Sequence, residues 1–147
     1  MAKSHGKTAY FNIDNTAGTP GDISPYVDNI DFSQDCELAE VTGMSASSKS
    51  YIMGLYDGTL TVSGSWDDAA TVGSETVLGA LAAAGGELSA GGSLTWIYGP
   101  EGSTNGDIKY TGECFMTSYG NSAPVGGRVS FSATFQRTGD ISRTTFS

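Results

Sequence analysis

The chain has 147 residues, 38% of them hydrophobic and 10% aromatic, which is enough apolar material for one packed domain and too little length for two. Its 16 acidic residues outnumber 7 basic ones, and a formal net charge of −9 excludes a protein that grips nucleic-acid phosphates through clustered Lys and Arg. The 21 glycines, about twice the usual share, follow no G-X-Y period, so collagen is excluded as well.

From the N-terminus, Met1 to Lys7 carries basic residues with no apolar segment behind it, which argues against a secretory leader. A first strand is expected around Ala9 to Ile13, followed by a turn-rich stretch from Asn15 to Asp22. Tyr26 to Ser33 places Tyr26, Ile30 and Phe32 on one side of a strand, with Asn29 and Asp31 on the other. Cys36 to Val41 reads as a short, less regular strand. Thr42 to Tyr56 then reads as a long connection, small and polar at first, with Tyr51, Ile52, Met53, Leu55 and Tyr56 close together at its end. Two readings, not exclusive, apply: those apolar residues face a partner, and Ile52 and Leu55 plug one end of a barrel.

Asp57-Gly58 signals a turn. After it, Thr59 to Trp66 alternates apolar and hydroxyl side chains, the pattern of a strand with one buried face. Val72 to Ala84 has Val77, Leu78 and Leu81 at helical spacing, with Thr71 or Ser74 as N-cap, Glu75 in the first turn and Gly85-Gly86 as the stop. Ser93 to Gly99 puts Leu94, Trp96 and Tyr98 on one face. Asp107 to Tyr119 groups Ile108, Tyr110, Cys114 and Met116 opposite Lys109, Thr111 and Glu113, with Gly112 marking a bulge or bend. Arg128 to Gln136 is the clearest strand. These elements predict a mainly β fold: an antiparallel β-sandwich or barrel with one flanking α-helix.

The chemistry-bearing residues do not converge on any known pattern. His5 is the lone histidine, in a polar arm, and Ser4-His5-Gly6-Lys7 matches S-x-x-K without its partner motifs. Asp67 and Asp68 are adjacent on the chain and so point apart; a turn or cap role suits them better than acid–base work. Asp14, Asp22, Asp28, Asp31 and Asp35 form a loose acidic series without the EF-hand order, read as solvated carboxylates. Cys36 and Cys114 lack CxxC spacing; a disulfide between strands is one reading, buried free thiols in a reducing compartment the other. The expectation is therefore no catalytic residue, no metal, no cofactor and no enzyme. The longest apolar run, Ala80 to Ala84, is far too short for a membrane anchor.

The order of the segments resembles the major tail tube proteins of long-tailed, siphovirus-like bacteriophages. The resemblance is carried by Asp22-Ile23-Ser24-Pro25-Tyr26-Val27-Asp28-Asn29-Ile30-Asp31-Phe32, then a Ser-rich loop, then Leu55-Tyr56-Asp57-Gly58-Thr59-Leu60-Thr61-Val62-Ser63-Gly64-Ser65-Trp66-Asp67, the helix and the final long strand from Val125 to Arg137. It covers about Tyr10 to Arg137, and the chain has no room for the C-terminal immunoglobulin-like decoration of some relatives. The resemblance implies one tail-tube domain over residues 1–147, with an N-terminal arm (1–9) and a C-terminal tail (138–147) that order on assembly. It implies hexameric rings, stacked into a hollow virion tail tube that is assembled in the host cytoplasm and passes DNA without binding it specifically.

Partners implied in the same way are further copies of the chain, together with tape measure, terminator and tail tip proteins. Met44, Tyr51, Ile52, Met53 and Tyr56 become the inter-ring contacts, and Asp31 and Glu113 the lumen-lining carboxylates of an acidic, non-stick bore. Lys109 and Arg128 are expected to pair with carboxylates of neighbouring subunits. Two alternatives remain open: another virion protein, such as a tail completion or capsid decoration protein, and a small-ligand barrel lined by Trp66, Trp96, Tyr98 and Tyr110.

Overall fold

A computed structural model describes residues 5–68, 70 and 73–147. Nine strands follow in order: β1 Tyr10–Asp14, β2 Pro20–Asp22, β3 Val27–Phe32, β4 Asp35–Glu40, β5 Tyr51–Asp57, β6 Thr59–Ser65, β7 Leu94–Gly99, β8 Ile108–Ser122 and β9 Ser130–Thr145. Seven of them form one antiparallel sheet in the order β2-β1-β7-β8-β9-β6-β3, while β4 and β5 form a separate two-stranded hairpin. The sheet curls until its two ends face each other. Ser24, just before β3, ties this end of the sheet to β1 at one point and leaves the outer edge of β3 without a strand partner: its Oγ accepts from Phe11 N at 2.8 Å and donates to the Phe11 carbonyl at 3.2 Å.

Alternation decides which side chains go inside. Leu60 and Val62 of β6, and Phe131, Ala133 and Phe135 of β9, are buried, while the hydroxyl residues between them face outward. Phe11, Ile13, Leu94, Trp96, Cys114 and Met116 complete the interior from β1, β7 and β8. The register of β8 on β9 shifts around Gly112, where the sequence predicts a bulge or bend, and again between Met116 and Ser118.

The helix is shorter and differently wound than expected. A π-helical turn, Glu75–Gly79, runs into an α-helical one, Ala80–Ala83. Val77, Leu78 and Leu81 are buried as their spacing predicts. Gly85 and Gly86, at φ +92° and +89°, stop it, with Gly86 N donating to the Leu81 carbonyl at 2.9 Å. Ser74 does not cap this helix: its Oγ donates to the Ser65 carbonyl at 2.7 Å and accepts from Asp67 N at 2.9 Å, tying the helix start to the end of β6. The alternative cap, Thr71, and the expected first helical residue, Val72, lie outside the described residues.

Three strand expectations change. Pro20–Asp22, expected within a turn, pairs with Asn12–Asp14 across the turn Asn15–Thr19. Tyr51–Asp57, expected at the end of a long loop, is a strand paired with β4. The last expected strand, Arg128 to Gln136, runs longer: β9 continues past Thr138, with Ser142–Thr145 opposite Ile108–Thr111. Phe146 secures its end: it exchanges backbone bonds with Gly106 and Asp107, packs edge-on against Tyr10 at 5.6 Å and lies under the Lys109 ammonium. In the N-terminal arm, Gly6–Thr8 forms one exposed 3-10 turn, capped by His5 Nδ1 accepting from Lys7 N at 3.1 Å.

Candidate assembly surface

The hairpin is where apolar chemistry meets solvent. Both strands are exposed along their whole length. Leu38 stands opposite Met53, and Ala39 opposite Ile52, so apolar side chains occupy both faces. Met44 at the tip is fully exposed, and Ile52 and Leu55 are 56% and 77% exposed, so neither of the last two plugs a barrel end. Tyr51, Met53 and Tyr56 are exposed beside them. The five contact residues expected from sequence thus share one projection. Leu38, Val41 and Leu55, which that expectation omitted, belong to it too. A two-stranded hairpin is marginal alone, and one that is apolar on both faces is completed by burial against something else.

A second surface lies on the outward side of β8, β9, β6 and β3. Its outward positions are mostly hydroxyls: Ser118 and Ser122, Ser132 and Thr134, Thr59, Thr61 and Ser63. Asp31 of β3 is exposed on this side, opposite Thr61, and accepts from Asn29 Nδ2 at 3.2 Å. Glu113 is separated from it by β9 and β6 in the sheet order. It is half-buried and accepts from Ser93 Oγ at 2.8 Å and Thr95 Oγ1 at 2.7 Å. The two expected lumen carboxylates are therefore not neighbours.

Both margins of this four-strand stretch are open. β3 is the terminal strand of the sheet, and β7 covers β8 only along Tyr110–Cys114. Gly86 then takes the Met116 N–H, and no further backbone partner meets that edge of β8 among the described residues. Such edges invite another strand.

Arg128, Lys109 and Asp14 have partners within the subunit. Arg128, expected to reach a neighbour, pairs with Asp28 of its own chain and donates to Ser65 Oγ at 2.7 Å. Lys109, expected to do the same, lies 5.2 Å from the Phe146 ring centre. Asp14, read as a solvated carboxylate, is buried and accepts from Thr95 N at 3.1 Å. Burial raises its pKa, the Thr95 amide opposes, and Glu113 nearby raises it further. Both cysteines are free, but only Cys114 is buried, its thiol pushed up to about 12 chiefly by burial; Cys36 is exposed. The Phe32 ring packs on Trp96, Tyr98 and Tyr110 at centre distances of 5.6, 6.1 and 5.1 Å, and of these three only Tyr98 also borders a surface pocket, between β3 and the N-terminal arm.

No protein-family model matches the sequence, and no curated protein matches it. The fold does have likenesses. A chain from the tail of an empty gene transfer agent particle, of C6 symmetry, superposes with a TM-score of 0.74 at 16% identity, covering 97% of this chain and 100% of that one. A chain of the SPP1 tail tube gives 0.68 at 11% identity, covering 97% and 80%. A chain of the sheath–tube complex of an extracellular contractile injection system gives 0.65 at 11% identity, covering 97% and 92%. Mainly antiparallel β with a short helix, the chain has the fold found in these tails and tubes.

Proposed function

We propose that this chain is the building block of a phage-type tail tube: rings of six copies stack into a hollow virion tail through which DNA passes into the host. The observation that carries the reading is the superposition of almost the whole chain on a subunit from a tail of C6 symmetry. The role is structural, and the working object is the polymer. The two open margins support closure into a ring, each subunit presenting β3 to the free stretch of β8 in the next. The hairpin supports stacking, its apolar faces buried against the adjacent ring.

In this reading the hydroxyl face lines the bore. Asp31 supplies its negative charge, and Glu113 adds to it at the margin. Hydroxyls and carboxylates offer passing phosphates no ion pair, so DNA is not held. Tape measure, terminator and tail tip proteins are the partners inside and at the ends, and assembly takes place in the host cytoplasm. The packed aromatic cluster argues against the ligand-barrel alternative.

Negative-stain microscopy of concentrated protein, with a sedimentation profile, is the test. Six-fold rings or tubes are the expected outcome. Isolated trimers would overturn it in favour of a capsid decoration or tail completion protein.

A further inference from the structure

We propose that Arg137 is the pin that sets the angle of the β4–β5 hairpin on the body, and thereby the positioning residue for the contact between stacked rings. The second clause rests on the tail-tube reading; the first does not.

Arg137 continues the inward row of Phe131, Ala133 and Phe135 on β9, and only 6% of it is exposed. It lies where the chain leaves the sheet for the hairpin, at Ser33–Gln34, and returns, at Asp57–Gly58. Nη2 donates to Gln34 Oε1 on the outgoing arm and to the Asp57 carbonyl, at 3.3 Å, on the returning arm. Arg137 N donates to the Gly58 carbonyl at 3.2 Å, and the guanidinium carbon lies 5.4 Å from the Phe32 ring centre. One side chain thus holds both crossings.

Two details favour positioning over simple packing. Burying a cation is costly, and an apolar side chain would fill this place at lower cost unless the guanidinium's contacts matter. Its Nε has no partner among the described residues, so the geometry serves the Nη2 contacts. The returning arm is also shaped around it: a Cβ on Gly58 would come within 2.2 Å of both Arg137 Nη2 and the Ser33 carbonyl. Burial lowers the pKa of the guanidinium below its usual value, and the negative charges of Asp57 and Asp35 oppose that shift in part. Beyond this joint both hairpin strands are exposed, so its direction is decided here.

The test reads the hairpin's angle directly. Ser47→Cys and Ser118→Cys in a Cys36→Ser background carry spin labels at the tip and on the sheet, and the full chain is diluted with unlabelled chain so that only distances within one subunit are read. Arg137→Met is expected to turn one narrow distance distribution into a broad one. Gln34→Ala, at an exposed residue and so safe for folding, is expected to broaden it partly. An unchanged narrow distribution in Gln34→Ala and in folded Arg137→Met would overturn the proposal. If the correct angle is then populated about a tenth of the time, tubes should need about tenfold more protein. Should the native chain form no tubes while the distances still broaden, the tail-tube reading fails and the pin stands.

Discussion

Glu75 serves two donors with one oxygen: Oε2 accepts from Trp66 Nε1 at 3.1 Å and from the Tyr119 hydroxyl, joining the helical segment to β8 and to the end of β6. Glu75→Ala should cost about 2 kcal/mol, because two half-buried donors lose their acceptor, while Glu75→Gln should recover most of it through its remaining carbonyl oxygen. Urea unfolding followed by tryptophan fluorescence distinguishes the two. Asp14 offers a pH prediction. Its pKa is raised in the fold, so the stability it contributes is present below the unfolded value of 3.8 and is lost as pH rises through the folded one. Asp14→Asn should therefore have a higher urea midpoint than the native chain at pH 7, and the gap should close near pH 3. At the alkaline end Cys114 works with the same sign: its stability is complete below 9.0 and is lost as pH rises towards about 12. A native chain with no alkaline loss beyond that of Cys114→Ala would contradict this assignment.

Among the elements, the hairpin makes the sharpest claim. Ile52→Asp and Leu55→Asp change exposed residues, so each should shift folding stability by less than about 0.5 kcal/mol. Each should nevertheless abolish tubes in the microscope. Tubes that persist in both would remove the hairpin from the stacking contact. The hairpin also marks where sequence reading stops. Thr59–Ser65 and Ser130–Gln136 are legible because one face is buried within the subunit, and burial writes a period of two. Tyr51–Asp57 carries apolar residues on both faces, so no alternation appears and the sequence reads as the end of a loop. Its cluster of apolar and aromatic residues is visible in the sequence all the same, which is why Tyr51, Ile52, Met53 and Tyr56 are expected at a contact while their strand is not. The end of β9 is obscured differently: Gly139-Asp140 imitates a turn, and Ile141 is the lone apolar residue before Phe146. Arg137 is the least legible of all, since a cation at the end of a strand reads as solvent-facing.

For the whole molecule, charge sets the conditions of assembly. Subunits at −9 repel one another, and the screening length falls from about 30 Å at 0.01 M salt to about 8 Å at 0.15 M. Sedimentation velocity across that range should show assembly at lower protein concentration as salt rises; the opposite trend would mean that attraction between charges holds the contact. The strand directions have a separate consequence. β8, β9, β6 and β3 alternate in direction, so the two open margins of one subunit run opposite ways. Four is an even number. Copy can therefore follow copy around a circle with every seam antiparallel, for five, six or seven members alike. The strand pattern guarantees that a loop can close but is indifferent to its membership, so the count must be chosen by the curvature of the seam.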